Sequence, residues 1–594
     1  MPASLKNIAI LASVLCLSLA PSLSSANQGQ KPHFGLLAPT NDNDKKLLRT
    51  AKQITLNGKT QTLKHQLLMK TGYKDNGEIY GALKNIKGEL ITHANGSPVI
   101  CNGTTNNKTV YGAGLDFTSF IEQDGKIHMI SQFECVAGAM YTVELKQSPA
   151  GELSPVAGTL KYIDQSAYKG GWIHCAGSVT PWNSHLGSEE YESDARKIEH
   201  SPTSDIKYIN AALYFNDPKQ LNPYYYGWTP EVKIKNGEAV YTKHYSMGRA
   251  SHELAYTMPD KKTVYLTDDG SNDGFYRFVA DKPEDLSSGT LYAAKWTQTS
   301  NKGAGAATLS WVDLGHANHA DIKAFALSGT LKFSDIFKTA EPLDEKKGVC
   351  PESFTFTNTQ TGRECLAVKD INGDKKVDAK DDAIAARLET RRMAAMKGAT
   401  TEFRKFEGFT YNEHKHKAYI AMSEIERGME KGFARAKGTD KYDRGGNNDI
   451  NLTSNPCGAV YELDLDDHFT ANSMTAIIEG KLLDSLDDQG NKCHVDHIAN
   501  PDNVAMIPDT NTLLIAEDTD RHTNNVLWAY NLNTQALERL ATVPLNAETT
   551  SAYTHHIGKF NYISLVTQHP MSYQETDPSN KENSISVLGP FIIP

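Results

Sequence analysis

The chain has little that would tie it to a membrane, a nucleic acid or one of the familiar motif-borne chemistries. Its longest apolar run, residues 8–20, is too short to span a bilayer as a helix. No long basic stripe appears, and the formal net charge is −10. That balance argues against a nucleic-acid partner and is compatible with binding cations. There is no GxSxG elbow, no P-loop, no HExxH and no CxxC zinc pattern. "GAGAAT" at 303–308 is glycine-rich but lacks the strand–loop–lysine context of a phosphate loop. Helical periodicity is scarce.

What is present begins with a segment that reads as a secretory signal peptide. Residues 1–26 carry an early Lys6, the short apolar run, and small residues ending at Ala26. Cys16 follows Leu15 rather than a small residue, which makes a poor lipoprotein signal, and no twin arginine is present. The expectation is a periplasmic or secreted protein with a mature chain of 27–594. Removing Cys16 from eight cysteines leaves seven: 101, 135, 175, 350, 365, 457 and 493. In an oxidising compartment an odd count leaves one thiol over. Sequence order suggests the pairs Cys101–Cys135, Cys350–Cys365 and Cys457–Cys493, with Cys175 as the remainder. A leftover thiol is either held by a metal as thiolate or is a small buried hydrophobe, and the count alone does not choose.

Most of the chain is short apolar runs such as "KTVYLTDD", "KAYIAM" and "VLWAYNL", bounded by Gly, Asp, Asn and Pro. This is strand-and-turn texture. Over this length it predicts an all-β protein, a β-propeller rather than stacked sandwiches. Three segments resemble one another: 253–269, 407–424 and 502–518. They open on Glu253, Glu407 and Asp502, and place Val264, Ala418 and Leu513 each 11 residues later. Such repeats indicate blades around one axis. Acids at equivalent inner-strand ends would then crowd together and repel unless cations neutralise them. The stretch 340–402 breaks the texture and reads as an insertion between blades, with a Cys350–Cys365 loop, a calcium-like loop and a helix. In that loop Asp370, Asn372, Asp374, Asp378 and Asp381 fall at positions 1, 3, 5, 9 and 12. This is the oxygen spacing of an EF-hand-like loop, with Lys375 where the sharp-turn glycine belongs. A solvated acidic loop is the plainer alternative.

The acid-rich turns Glu189–Glu190, Glu253, Asp268–Asp269, Glu407, Asp502 and Glu517–Asp518 suit hard-cation binding. A thiolate among them suggests a transition metal beside calcium. His174, His185, His244 and His252 lie near these turns and are given no role.

These residues carry a resemblance. "HCAGSVTPWNSHLGSEE" (174–190) resembles the signature of PhoX-type bacterial alkaline phosphatases. "HELAYTMPDKKTVYLTDDGSNDGFYRFV" (252–279), "FEGFTYNEHKHKAYIAMSE" (406–424) and "NPDNVAMIPDTNTLLIAED" (500–518) resemble three further stretches of that family, in its order. The matches cover roughly 175–530 with gaps. The resemblance implies a six-bladed propeller and hydrolysis of phosphomonoesters at Ca2+ and Fe3+ ions grouped at one end of the channel. It implies Cys175 as the iron-binding thiolate. It places Glu189 and Glu190 at the phosphate and calcium side, and makes Glu253, Glu407, Asp502, Glu517 and Asp518 metal ligands, with Asp268 and Asp269 at the family's acid pair. The family has Arg-Pro before its Glu-Gly; here Lys405 and Phe406 stand there, with Arg404 one residue earlier. The phosphate clamp is then Lys405, or Arg404 by a local shift, and the two side chains are not equivalent for bidentate binding. A channel-facing Trp182–Asn183 turn is a further candidate for oxygen contacts. The expected partners are small phosphate esters, with no nucleic acid, no membrane in the mature form, and a monomeric chain. Two alternatives stay open: a phosphodiesterase or lactonase on the same metal propeller, and a non-catalytic calcium-binding recognition propeller.

Overall fold

Strands buried along most of their length, joined by tight polar turns, build six antiparallel blades of four or five strands around one axis. The computed structural model describes residues 36–103, 111–430, 448–570 and 582–593. The signal-peptide reading at 1–26 lies outside them. The innermost strands are Tyr111–Gln123, Ser178–Val179, His252–Thr257, Phe406–Asn412, Pro501–Met506 and Glu548–Ile557, in blades 1 to 6. Each packs against the next, and the sixth against the first, so the ring is closed. The N-terminal strand His65–Lys70 supplies the outer edge of blade 6 by pairing with Ser584–Phe591. Arg49–Thr50 does the same for blade 5. Both ends of the chain thus lock the ring, which leaves few open sheet edges. Blades 3 and 4 are further joined by Ala306–Asn318, which pairs with the outer strands of both.

The apolar cores lie between successive blades. Val264 and Leu266 meet Leu186 and Trp228 between blades 2 and 3. Tyr419 and Val460 meet Ile515 and Trp528 between blades 4 and 5. With the apolar side chains committed to the blade faces, the axial positions are left to polar groups. Five of the six inner strands carry the same irregularity: two residues oppose one on the neighbouring strand, a β-bulge. The bulges fall between Leu115 and Thr118, His252 and Ala255, Phe406 and Phe409, Pro501 and Val504, and Thr550 and Tyr553. The first bulged residue is Asp116, Glu253, Glu407, Asp502 or Ser551. Four blades therefore aim an acid from the same structural position.

Two excursions break the regular course. Between blades 3 and 4 lie a small sheet (Phe337–Ala340, Gly362–Val368 and Thr355–Thr359) and the helices Ala379–Leu388 and Thr390–Met396. Inside blade 2 the chain leaves for three short helices, Ala195–His200, Ile206–Asn210 and Ala212–Phe215, which the strand-and-turn texture did not announce. Asp194 and Asp205 cap the first two through their carboxylates. All three expected disulfides are present, and Cys175 is free and buried. Among the described residues no helix is long and apolar enough to cross a membrane.

Trp528 is fully buried between blades 4 and 5 and donates its indole N–H to Glu517 Oε1 at 2.7 Å. Trp528→Ala is expected to cost about 3–5 kcal/mol, read as a lower urea midpoint at unchanged slope.

Candidate metal and phosphate site

The bulged acids converge on one end of the axis and meet the loop that enters blade 2. Three groups of possible ligands form, their donor atoms within 4.8 Å of one another in each: Asp116, Glu134 and Cys175; Cys175, Glu190 and Glu253; and Glu253, Glu407 and Asp502. Cys175 and Glu253 are shared, so the groups form one continuous array. Cys175 Sγ lies 3.3 Å from Glu253 Oε1 and 4.0 Å from Asp116 Oδ2. Lys405 extends its ammonium into the array, 3.1 Å from Asp269 Oδ2 and 3.1 Å from Glu407 Oε1. Tyr191 donates its hydroxyl to the same Asp269 oxygen, and the Lys207 ammonium sits 4.0 Å from the centre of the Tyr191 ring. Asp518 packs against Glu548, which pairs with His569 at 2.6 Å.

Partners outside the array hold several of these groups in place. Ser423 donates to Glu407 Oε1 at 2.8 Å. The Gln568 amide donates to Asp116 Oδ2 at 3.3 Å and to Glu134 Oε2 at 3.1 Å. The other Asp116 oxygen is buried without a hydrogen-bond partner, as is Asp269 Oδ1.

The electrostatics follow from burying like charges together. Burial, then the neighbouring carboxylates, push Asp116, Glu190, Glu253, Asp502 and Asp518 well above the usual carboxylate range. Burial first, then Asp269, raises Glu407 to about 7 against the pull of Lys405. Glu134 rises to about 8 through burial and Glu548. The Cys175 thiol is pushed well up by burial and by Glu253, so only a bound cation would make it a thiolate. Asp269 goes the other way: Lys405 holds it below the ordinary range despite its burial. His569 rises to about 9, where Glu548 outweighs its desolvation.

The adjacent acid pairs divide. Neighbouring residues on an extended chain point to opposite sides. In each pair one member faces the array and the other is consumed within the blades. Glu190 faces inward; Glu189 is bound by Lys243 at 2.7 Å and by the amides of Gly227 and Trp228. Asp269 faces inward; Asp268 is gripped by Arg391 through Nε at 2.8 Å and Nη2 at 2.5 Å. Asp518 faces inward; Glu517 accepts from Ala499 N, Val526 N, Trp528 Nε1 and His522. Glu189, Asp268 and Glu517 thus have internal partners in place of a position in the array. Arg404 is tied to Glu424 at 2.7 Å and to the Gly270 carbonyl, so of the two clamp candidates Lys405 is the one among the acids. The Trp182–Asn183 turn does not face the channel: Trp182 donates to Glu231, and Asn183 to the Glu122 carbonyl at the far end of its strand. The 370–381 loop stands apart. Asp370 accepts from the amides of Gly373 and Lys375, and Asp381 from those of Ile371, Asn372 and Asp378. Asn372 and Asp374 accept from backbone amides in the same way, and Asp378 caps the helix Ala379–Leu388. Among the described residues no group of three possible ligands forms there.

The sequence reading passed over Asp116, Glu134, Tyr191, Lys207, Glu548 and His569. Asp116 had a signal, since it opens "DFTSFIEQDGKIHMI" as Glu253 opens its own hairpin. Tyr191 directly follows the Glu189–Glu190 pair, and Glu134, Lys207, Glu548 and His569 reach the array through folding alone.

Without bound cations the folded chain keeps protons that the unfolded chain has released. Glu407 and Glu134 rise from the usual 4.5 to about 7 and about 8, so their contribution to stability is full below 4.5 and lost as pH passes those values. His569, raised from 6.5 to about 9, acts in the same direction. The metal-stripped protein is therefore expected to show a Tm that falls steadily between about pH 5 and 9, and restoring calcium should flatten the decline. A Tm unaffected by pH and by calcium would contradict this account of the array.

The family model "Alkaline phosphatase PhoX" matches residues 92–570. No curated protein matches the chain by sequence. Among solved structures, that of Pseudomonas fluorescens PhoX, in complex with the transition-state analogue vanadate, is similar. It has a TM-score of 0.57 and 16% identity, over 91% of this chain and 97% of that one. Weaker similarities include Kuenenia stuttgartiensis hydrazine synthase (TM-score 0.31, 9% identity, 81% and 97% covered). The periplasmic gluconolactonase of Pseudomonas aeruginosa is similar at a TM-score of 0.28, 8% identity, with 82% and 98% covered.

Proposed function

The chain belongs to the PhoX alkaline phosphatase family, and on that premise we propose that the axial array hydrolyses phosphomonoesters with the help of bound calcium and iron. The observation that carries this reading is a buried, continuous set of carboxylates and one thiol into which a single lysine, Lys405, extends its ammonium between two acids. The donor chemistry sorts the cations. Glu253, Glu407 and Asp502 offer oxygen alone, which suits calcium. The two groups containing Cys175 add a soft sulfur, which suits iron. Glu253 belongs to both kinds and would link them. The partnerless oxygen of Asp116 fits the same requirement.

Bound there, the cations supply the positive charge that holds the phosphoryl oxygens in line and makes an attacking oxygen nucleophilic near neutral pH. The chain's own groups do the rest. A phosphomonoester dianion spreads charge over its equatorial oxygens as the phosphoryl group transfers. The Lys405 ammonium, anchored by Asp269 and Glu407, is placed to meet one of those oxygens. Lys207 adds a second cation at the same edge, over the ring of Tyr191, whose hydroxyl is committed to Asp269. Glu190 closes the wall between Cys175 and Glu253. Ser423 and Gln568 fix the carboxylates so that little reorganisation is needed during the reaction. Glu189, Asp268 and Glu517 contribute by holding the blades rigid around the array. The three disulfides fit an extracytoplasmic compartment, where the exported chain would take up its metals.

The test is hydrolysis of p-nitrophenyl phosphate at alkaline pH by the mature protein, before and after calcium chelation and with calcium restored. Calcium-reversible turnover is expected. Cys175→Ala and Glu407→Gln should each lower kcat on the order of a hundredfold or more while the folded state persists by circular dichroism. Near-normal rates in both folded variants would remove the assignment.

The role of Lys405 has its own signature. Lys405→Met should cost activity and release Asp269 from its low pKa, so that calcium uptake becomes steeper with pH. Lys405→Arg should recover part of the rate. Unchanged kcat/KM in Lys405→Met would take the phosphate contact away from this residue.

A further inference from the structure

A cavity of about 490 Å3 opens beside the array and is bounded by Tyr191, Lys207, Gln360, Thr361, Thr390 and Arg391. Tyr191 and Lys207 belong to both places, so the cavity begins where the array ends. Its opposite wall is the turn joining Thr355–Thr359 to Gly362–Val368, part of the small sheet between blades 3 and 4. That turn is docked on the site. The Gln360 amide N–H donates to the Asn272 carbonyl at 3.1 Å. The Gln360 carboxamide lies so close over Gly270 that a Cβ there would come within 2.3 Å of Nε2. Gly270 directly follows Asp269, the acid that anchors Lys405 and Tyr191. The third wall is fixed as well, because Arg391 is bound by Asp268 and Glu192.

We propose that this cavity receives the alcohol portion of the phosphomonoester, and that Gln360 determines specificity there for polar leaving groups of nucleoside or sugar size. The inference rests on the phosphatase reading and deepens it. A leaving group departs on the side away from the attacking oxygen and needs room next to the phosphoryl site. The cavity adjoins the array and has a volume ordinary for a small-molecule site. Its lining combines amide, hydroxyl and charged groups with apolar surface from Ile206 and the Tyr191 ring, which suits an alcohol that carries hydroxyls and ring nitrogens on a flat ring. Gln360 presents both a donor and an acceptor at the boundary between phosphoryl site and cavity.

The experiment compares kcat/KM for a nucleoside 5′-monophosphate and for methyl phosphate, in the wild-type protein and in Gln360→Trp, Thr361→Trp and Gln360→Ala. The wild-type protein should favour the nucleotide. The two tryptophan variants, which fill the cavity from different positions, should lower the nucleotide-to-methyl ratio by about tenfold, mainly through KM. Gln360→Ala should lower it in the same direction by less. A ratio unchanged in folded tryptophan variants, with both esters still turned over, would overturn the pocket and leave the phosphatase reading standing. No turnover of either ester by the metal-loaded wild-type protein would bring down both.

Discussion

Carboxylates buried side by side repel one another, and the cost rises as water is excluded. This chain places Asp116, Glu134, Glu190, Glu253, Asp269, Glu407, Asp502, Asp518 and Glu548 around one end of an axis. Lys405, Lys207 and His569 are cationic groups beside them, and Arg404 adds its charge at Asp269. The rest of the architecture can be understood as what makes that arrangement tolerable. The ring is closed by pairing strands from both ends of the chain, so the array cannot relieve its repulsion by splaying the blades. The apolar cores sit between blades, so rigidity does not depend on filling the channel. The excess negative charge is then available to cations, and the energy of binding them is coupled to the stability of the metal-free fold.

The β-bulge is the device that gives the array its geometry. A regular strand alternates its side chains between two faces, both of which are needed here to pack one blade on the next. Inserting one residue at the same place in five inner strands re-aims a side chain without surrendering either face. Blade 2, whose inner strand is only Ser178–Val179, has no room for that solution. There the preceding loop delivers Cys175 instead, so the soft ligand enters where the repeat is broken.

Much of this was legible in the sequence, for identifiable reasons. Glu253, Glu407 and Asp502 share a spacing to the next strand because their hairpins have similar lengths, and equal lengths show as a repeat. Asp116 keeps the same 11-residue spacing, to Ile127, but it sits in a longer strand, Tyr111–Gln123, with a different turn, so its equivalence is clearest in the pairing register. The disulfides followed sequence order because each closes a local excursion. The acid pairs were legible as pairs but not as a division of labour, since which member faces the axis is set by strand phase. Glu189, Asp268 and Glu517 therefore looked the same as their neighbours. His569 and Glu134 are brought in by blades 6 and 1, and no spacing in the chain records that approach. The helices Ala195–His200 and Ile206–Asn210 were missed because each is too short to show a period.

Lys405-Phe406, where the resemblance implies Arg-Pro, has a local geometry of its own. A residue before proline is pushed toward extended backbone. With Phe406 next in the chain, Lys405 instead takes a left-handed conformation, φ +54°, and donates its amide to the Gly270 carbonyl at 3.2 Å. Phe406 in turn packs with Phe403 and Phe275, ring centres 4.6 Å and 5.2 Å apart, between blades 3 and 4. The left-handed turn costs about 1–2 kcal/mol for a residue with a side chain, offset by that aromatic cluster and by the two carboxylates around the ammonium. A lysine is shorter in reach and carries a point charge in place of a planar fork. Setting the backbone of Lys405 against Gly270 brings that charge to Asp269 and Glu407, and the same contact links the clamp to the turn on which Gln360 rests.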